Sequence, residues 1–386
     1  MSLDFDNLTA DQLRATGWKK WTEYPTAAGA WIAEMDFGTA PPVQQVLHAA
    51  AAGDGLGYLS SNRLALLQQS VSQYLQEQYR WPIDPADVRP VPDVLTALEA
   101  SITLLSRPRS PIIVPTPAYM PFLTIPQVLD REIIQVPLVQ QQGHYTYDLD
   151  ALDAAFRRGA HVLVLCNPHN PVGRVLQRTE LEGICEVVQR HDGRVFADEI
   201  HAPLRYDGLA HIPYASINEQ AAAHTLTAVS TSKAFNLPGL KCAQVILSND
   251  ADRKRWAGRG ALIEDQASTL GALAATAAYT EGGPWLAQVL DYLDGNRRAL
   301  AQELAQLDIG YRMPEGTYLA WLDFTDARRH GVPLTDPAAV LAEHADVVAT
   351  AGRHCGDVAR AHVRLNFATP RPILLAAVER IAAVLG

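Results

Sequence analysis

The chain has 386 residues, enough for two domains or for one large domain with a smaller one appended. Hydrophobic residues make up 48% of it and charged residues 19%, a balance that excludes a disordered chain and predicts a sizeable core. The formal net charge of -10 argues against a protein that works by covering nucleic-acid phosphates, although it leaves room for a small local anion site.

The amino terminus, MSLDFDNLTADQLRATG, has no basic region followed by an apolar run. No later segment approaches the uninterrupted apolar length of a membrane span, so a cytoplasmic location is expected. From about residue 64 to 280, short apolar β-rich runs alternate with segments of helical periodicity. In chain order the pattern predicts a helix at 94–105, strands at 111–115 and 132–138, a helix at 148–158, a strand at 161–166, a helix at 178–191, and strands at 194–198, 226–230 and 243–247. Strands apolar on both faces and separated by helices predict a mostly parallel sheet covered on both sides, an α/β core. Beyond residue 283 the pattern becomes a long helix at about 284–307, strands near 316–324 and 361–367, and a closing helix from about 372. This divides the chain into a large α/β domain, 47–283, and a smaller α+β domain built from 1–46 and 284–386, joined near GGP at 282–284. Cys166, Cys185, Cys242 and Cys355 are scattered without a CxxC pair, so they read as buried small hydrophobes rather than a disulfide framework or a zinc site. The 12 histidines show no spacing such as HExxH, and no metal is expected.

In an α/β sheet, ligands sit beyond the carboxyl ends of the strands. Three polar segments follow predicted strands: NPHNPVG (167–173), DEIH (198–201) and STSKAFNLPGLK (230–241). Taken singly, Asn-Pro starts turns, Asp caps helices and a loop Lys is ordinarily solvated. Taken together, an Asn, an Asp and a Lys on three successive strand ends would converge on one pocket.

This order and spacing resemble the aspartate-aminotransferase-like, fold type I (class I/II aminotransferase) family of pyridoxal phosphate enzymes, over nearly the whole chain. Within it, WIAEMDF (31–37), DEIH with Leu204 and Tyr206, STSKAFNLPGL (230–240) and PEGTYLAWLDF (314–324) are similar to the cystathionine β-lyase subgroup typified by MalY and PatB. The resemblance implies the cofactor pyridoxal 5'-phosphate and a set of roles. Lys233 would hold the cofactor as an imine and then act as the base at the substrate Cα. Asp198 would keep the pyridine nitrogen protonated, the condition for the ring to act as an electron sink. Asn170 would donate to the ring 3-oxygen, and His201 would stand where many aminotransferases carry a tyrosine. Tyr119, in PTPAYMPF (115–122), would stack on the ring and join Lys233 and Asp198 among the catalytic candidates. For the phosphate, the resemblance points to Ser230, to Lys241 and to the start of PDVLTALEASI (92–102), where backbone N–H groups of Val94 and Leu95 would serve as donors.

Asp93 departs from this pattern, because glycine is common at its position, and a carboxylate beside a phosphate is unfavourable unless it points away. Tyr58, in GLGYLS (55–60), matches the tyrosine that reaches a neighbouring subunit's phosphate, which implies a homodimer with shared sites. Arg364, in HVRLNFAT (362–369), matches the arginine that grips the substrate α-carboxylate, and an arginine on an apolar strand is awkward to bury without an anionic partner. The activity implied is α,β-elimination of cystathionine or another S-substituted L-cysteine to pyruvate, ammonia and a thiol. An aminotransferase shares every one of these residues and stays open at this point. A regulatory protein that binds a transcription factor is the alternative from a different class, unsupported by any fused DNA-binding segment.

Overall fold

The computed structural model describes residues 5–53, 55–141, 143–329 and 331–385. Its larger sheet has seven strands, in spatial order Val88–Val91, Ala243–Leu247, Thr225–Val229, Arg194–Asp198, Val162–Cys166, Ile112–Thr116 and Ile133–Pro137. The five strands from Thr225–Val229 to Ile133–Pro137 run parallel; Ala243–Leu247 is antiparallel to both of its neighbours. In Val162–Cys166 every residue is buried, as both faces of an inner parallel strand require. At the edge, Ile133–Pro137 alternates between buried and more exposed positions, because only one of its faces is fully covered.

The strand expected at 226–230 begins one residue earlier, at Thr225, and the other expected strands of this sheet lie within a residue or two of their predicted bounds. The sequence reading missed Val88–Val91, a four-residue edge strand interrupted by Pro90, since a proline inside a short run removes a ladder donor and hides the pattern. The helix expected at 94–105 is α-helical through Ala100 and then widens into a π-helical turn over Ser101–Leu105.

A second sheet of five strands runs, in spatial order, Ala28–Ala30, Val347–Ala351, His362–Asn366, Leu319–Asp323 and Gly310–Tyr311. Here His362–Asn366 and Leu319–Asp323 correspond to the expected strands, whereas Ala28–Ala30 and Val347–Ala351 were not expected. The first is only three residues of Ala and Gly, a composition with little strand signal, and it is held by parallel pairing with residues 347–349 far along the chain. Gly283–Leu304 and Arg371–Leu385 form the long and closing helices.

The amino-terminal segment is fastened by a buried ion pair. Lys20 Nζ lies 2.9 Å from Asp36 Oδ2 and also donates to the carbonyls of Glu34 and Ala368, while Trp21 Nε1 donates to Asp36 Oδ1 at 2.9 Å. Both charges thus have several hydrogen-bond partners, the condition under which a buried pair is tolerated. This ties Glu34 and Asp36 to Ala368, just past the smaller sheet's strand His362–Asn366.

Candidate active site

The carboxyl ends of the parallel strands open on a cavity of about 160 Å³. Val162–Cys166 and Arg194–Asp198 pair with Cys166 level with Asp198, so the loops that follow them leave side by side. The first loop is drawn tight by Asn167, whose Oδ1 accepts from Leu176 N at 3.0 Å, and by Gly173 at φ +72°. A Cβ on Gly173 would stand 2.3 Å from Pro314 Cβ, and its carbonyl accepts from the backbone N–H groups of Glu315 and Gly316, so only glycine fits this junction. Asn170 is thereby presented to the cavity beside Asp198 and His201. Lys233 follows Thr225–Val229 on a turn closed by Phe235 N donating to Thr231 O and Leu237 N to Ser232 O.

The subgroup motifs touch one another. Asn236 accepts from Met35 N at 2.9 Å and donates to the carbonyls of Met35 and Gly38, lashing WIAEMDF to the loop that carries Lys233. Tyr206 O–H donates to Thr317 O at 2.7 Å, and the Arg297 guanidinium lies 4.4 Å above its ring. Leu204 O accepts from Thr317 N. Leu204 and Tyr206 therefore join 198–206 to 314–318 rather than facing a ligand.

The electrostatics of the cavity are unusual. Burial pushes the Asp198 carboxyl up to about 7, against the lowering effects of the Ile200 N–H, which donates to Oδ1 at 3.0 Å, and of nearby Lys233. Among the described residues no cation forms an ion pair with it. Loss of water around the Lys233 amine lowers it to about 8, Arg364 adding to the effect; the amine donates to Ala33 O at 2.8 Å. Burial takes His201 down to about 3, and its Nδ1 is buried without a partner. Tyr119 lines the cavity with its hydroxyl pKa raised, chiefly by burial.

Arg364 is 2% exposed and does not itself line the cavity; it stands behind Asn170, donating to Asn170 Oδ1 at 3.2 Å, Thr350 Oγ1 at 3.1 Å and Trp31 O at 3.0 Å. Its Nε has no partner, and among the described residues no carboxylate pairs with it. Beyond Lys233 lie Ser230, Ser232, Val94, Leu95, Asp93 and Lys241. Ser230 Oγ is 3.0 Å from Ser232 Oγ and 3.3 Å from Cys242 O. Asp93 does not point away from this corner: its Oδ2 accepts from Lys241 Nζ at 2.8 Å. Tyr58 is absent from the cavity of the single chain and is fully exposed, at 101%.

Of the expected residues, Lys233, Asp198, Asn170, His201, Tyr119, Ser230, Lys241, Val94 and Leu95 thus share one cavity. The reading missed Thr350, which lies opposite Arg364 across an antiparallel pair and on the same face, because its strand was not anticipated. It also missed the Ala33 carbonyl, to which both Lys233 Nζ and Tyr318 O–H donate.

The aminotransferase class I and II family model matches residues 32–381. The chain belongs to that family. It is 36% identical over 367 residues to the cystathionine beta-lyase of Corynebacterium glutamicum, covering 95% of this chain and 96% of that protein. Cystathionine beta-lyase PatB of Bacillus subtilis is 28% identical over 364 residues, 92% of each chain. In three dimensions it matches a crystal structure described as a putative pyridoxal phosphate-dependent beta-cystathionase from Corynebacterium diphtheriae, with a TM-score of 0.92 at 35% identity and 99% of both chains covered. Cystalysin from Treponema denticola, crystallised with pyridoxal 5'-phosphate, gives a TM-score of 0.89 at 27% identity over 99% of both chains.

This family member is a pyridoxal phosphate-dependent enzyme of the cystathionine β-lyase group. Its donor set fits the cofactor: a buried carboxylate without a cation for the pyridine nitrogen, a buried His201 Nδ1 without a partner, and a lysine amine that desolvation keeps ready to react. Among the described residues no helix is long and apolar enough to cross a membrane.

Proposed function

We propose that the enzyme is a carbon–sulfur β-lyase that cleaves an S-substituted L-cysteine, cystathionine among them, to pyruvate, ammonia and a thiol with consumption of one water. The observation that carries the reading is Arg364, a buried guanidinium with an unpartnered Nε and no carboxylate partner among the described residues. Such a charge is stabilised by an anion brought from outside, and the α-carboxylate of an amino acid supplies one in bidentate geometry.

Bound pyridoxal phosphate supplies the electron sink that stabilises negative charge at the substrate Cα. Asp198 would hold a proton on the ring nitrogen by charge pairing, and that pairing would favour its own ionised form. Asn170 accepts from Arg364 through Oδ1 and keeps its amide N–H groups for the ring oxygen, so one side chain ties the substrate clamp to the cofactor seat. His201 would offer a second donor to the same oxygen, and Tyr119 would cover the ring. Lys233 would hold the cofactor covalently and, once free, would take the Cα proton of the substrate, so that the β C–S bond breaks with its electron pair leaving on sulfur.

We also assign the enzyme to a homodimer in which Tyr58 reaches the partner copy's phosphate. Tyr58 is fully exposed and Leu56 is 68% exposed, an arrangement that a second chain would cover. The domain division 47–283 against 1–46 with 284–386 belongs to this reading.

The test is turnover without a keto-acid acceptor. A lyase regenerates its starting form at every cycle, so S-alkyl cysteine or cystathionine should yield pyruvate, ammonia and thiol in equal amounts, far beyond one equivalent of enzyme. An S-substituted keto acid with the C–S bond intact, formed with glutamate only when 2-oxoglutarate is added, and no free thiol, would establish an aminotransferase instead.

A further inference from the structure

The corner of the cavity that receives the cofactor phosphate contains a charge already neutralised by the chain itself. Among the described residues, the cation that lines the cavity besides Lys233 is Lys241, 59% exposed at its side chain, and it is paired to Asp93 at 2.8 Å. Asp93 is anchored where it stands, since its Oδ1 also accepts from Thr96 N at 2.8 Å and from Thr96 Oγ1 at 3.0 Å. Lys241 is held in a left-handed backbone conformation, φ +49°, which limits how its stem leaves the loop. Partial burial pushes the Asp93 carboxyl up, but the hydrogen bonds from Lys241 and Thr96 outweigh it and hold the group below the usual carboxylate range. The bonds from Lys241 and Thr96 thus favour the ionised form of Asp93.

We propose that Asp93 is a built-in competitor of the cofactor phosphate, sharing Lys241 with it and so weakening the grip of this enzyme on pyridoxal phosphate. A dianion entering this corner meets a pair of net charge zero instead of a free cation. It must either draw Lys241 away from Asp93 or share the ammonium with a carboxylate about as close as the phosphate itself, and like charges at such separations repel. The remaining side-chain donors here, Ser230 and Ser232, are neutral and cannot offset that repulsion by charge. With Asp93 in place, the phosphate contributes less to cofactor binding than a lone Lys241 would allow. The inference rests on the cofactor and not on which thiol leaves.

Asp93→Asn separates charge from structure, because the amide oxygen can still accept from Thr96 while the negative charge is gone. Apoenzyme and variant are titrated with pyridoxal phosphate and, in parallel, with pyridoxal, which lacks the phosphate. The variant should bind pyridoxal phosphate on the order of tenfold more tightly at low salt, the gap narrowing as salt rises, and should bind pyridoxal with unchanged affinity. Inorganic phosphate should protect the variant apoenzyme from cofactor capture at lower concentration than it protects the parent. Equal affinities of parent and variant for pyridoxal phosphate, or a parallel change for pyridoxal, would overturn the proposal and leave Asp93 as a helix cap alone. Failure of the parent to bind either aldehyde would overturn the cofactor assignment, and this inference with it.

Discussion

Arg364 stands behind the cavity and Lys241 lines it, and the chain treats the two cations differently. Arg364 is buried, fixed by Asn170, Thr350 and the Trp31 carbonyl, and without a carboxylate partner among the described residues; Lys241 is largely exposed and already paired with Asp93. The first is an unsatisfied buried charge whose stabilisation awaits a ligand; the second is a solvated pair that a ligand must disturb. In the proposed function, a substrate that arrives and leaves at every turnover would meet the stronger electrostatic demand, and a cofactor that stays through many turnovers would meet the weaker one, with Lys233 as its covalent hold.

The largest break in this comparison is Arg364→Ala. Removing a buried, hydrogen-bonded partner of a charge costs about 2–5 kcal/mol in binding, so kcat/KM for an S-substituted cysteine should fall by roughly 30-fold to several thousandfold. Arg364→Lys should recover only part of the loss, because an ammonium cannot reproduce the bidentate fork. Steady-state kinetics on the three proteins check both statements. A loss under fivefold in Arg364→Ala would remove the carboxylate clamp from the reading.

Lys241→Ala should act on the other side of the comparison and more weakly. It deprives the phosphate of its cation and leaves Asp93 beside it, yet solvent screens the exposed site, so cofactor affinity should fall by about tenfold. The activity deficit should shrink as cofactor is added, whereas added cofactor should not relieve Arg364→Ala. Activity measured across a cofactor titration distinguishes the two.

How much of this was legible in the sequence depends on which kind of group does the work. Asn170, Asp198 and Lys233 stand out because they are polar residues directly after apolar runs, and strand order alone brings three such ends together. Resemblance, not periodicity, identified Arg364 as a carboxylate clamp. Its partner Thr350 stayed hidden, since cross-strand pairing is a tertiary fact that no local pattern states. The Ala33 carbonyl was invisible for a different reason: every residue has one, and only the fold decides which faces Lys233. The Asp93–Lys241 pair joins residues 148 positions apart, and the sequence marked Asp93 as a departure without revealing what it would touch.

A smaller effect sharpens the contrast through pH. The Lys233 amine is lowered to about 8 from an ordinary 10.5, first by desolvation and then by Arg364. Capture of the aldehyde needs the uncharged amine, which predominates above that value, so the rate of reconstitution of apoenzyme should rise with pH through about 8 and level off beyond it. Arg364→Ala removes one source of the lowering and should move the midpoint upward by a fraction of a pH unit. Asp93→Asn should leave the midpoint in place, since Asp93 does not figure among the charges acting on Lys233. Rapid-mixing absorbance against pH reads these midpoints; a rate still climbing at pH 10 in the parent would show an ordinary, solvated lysine.

The smallest expected effect isolates the second duty of Asp93. Its Oδ1 accepts from Thr96 N, the N-cap bond of the helix Val94–Ala100, and losing such a cap costs about 1 kcal/mol. Asp93→Ala removes cap and charge together, whereas Asp93→Asn removes only the charge, asparagine being as good a cap as aspartate. Thermal unfolding of the apoproteins should therefore place Asp93→Asn close to the parent and Asp93→Ala a few degrees lower. In cofactor titrations the two variants should move together, both tighter than the parent, because both lack the competing carboxylate. Stability that follows the cap while affinity follows the charge would mean that one side chain carries two separable functions. If affinity instead followed stability, with Asp93→Ala weakened and Asp93→Asn unchanged, the Lys241 corner would be a structural feature with no bearing on the phosphate.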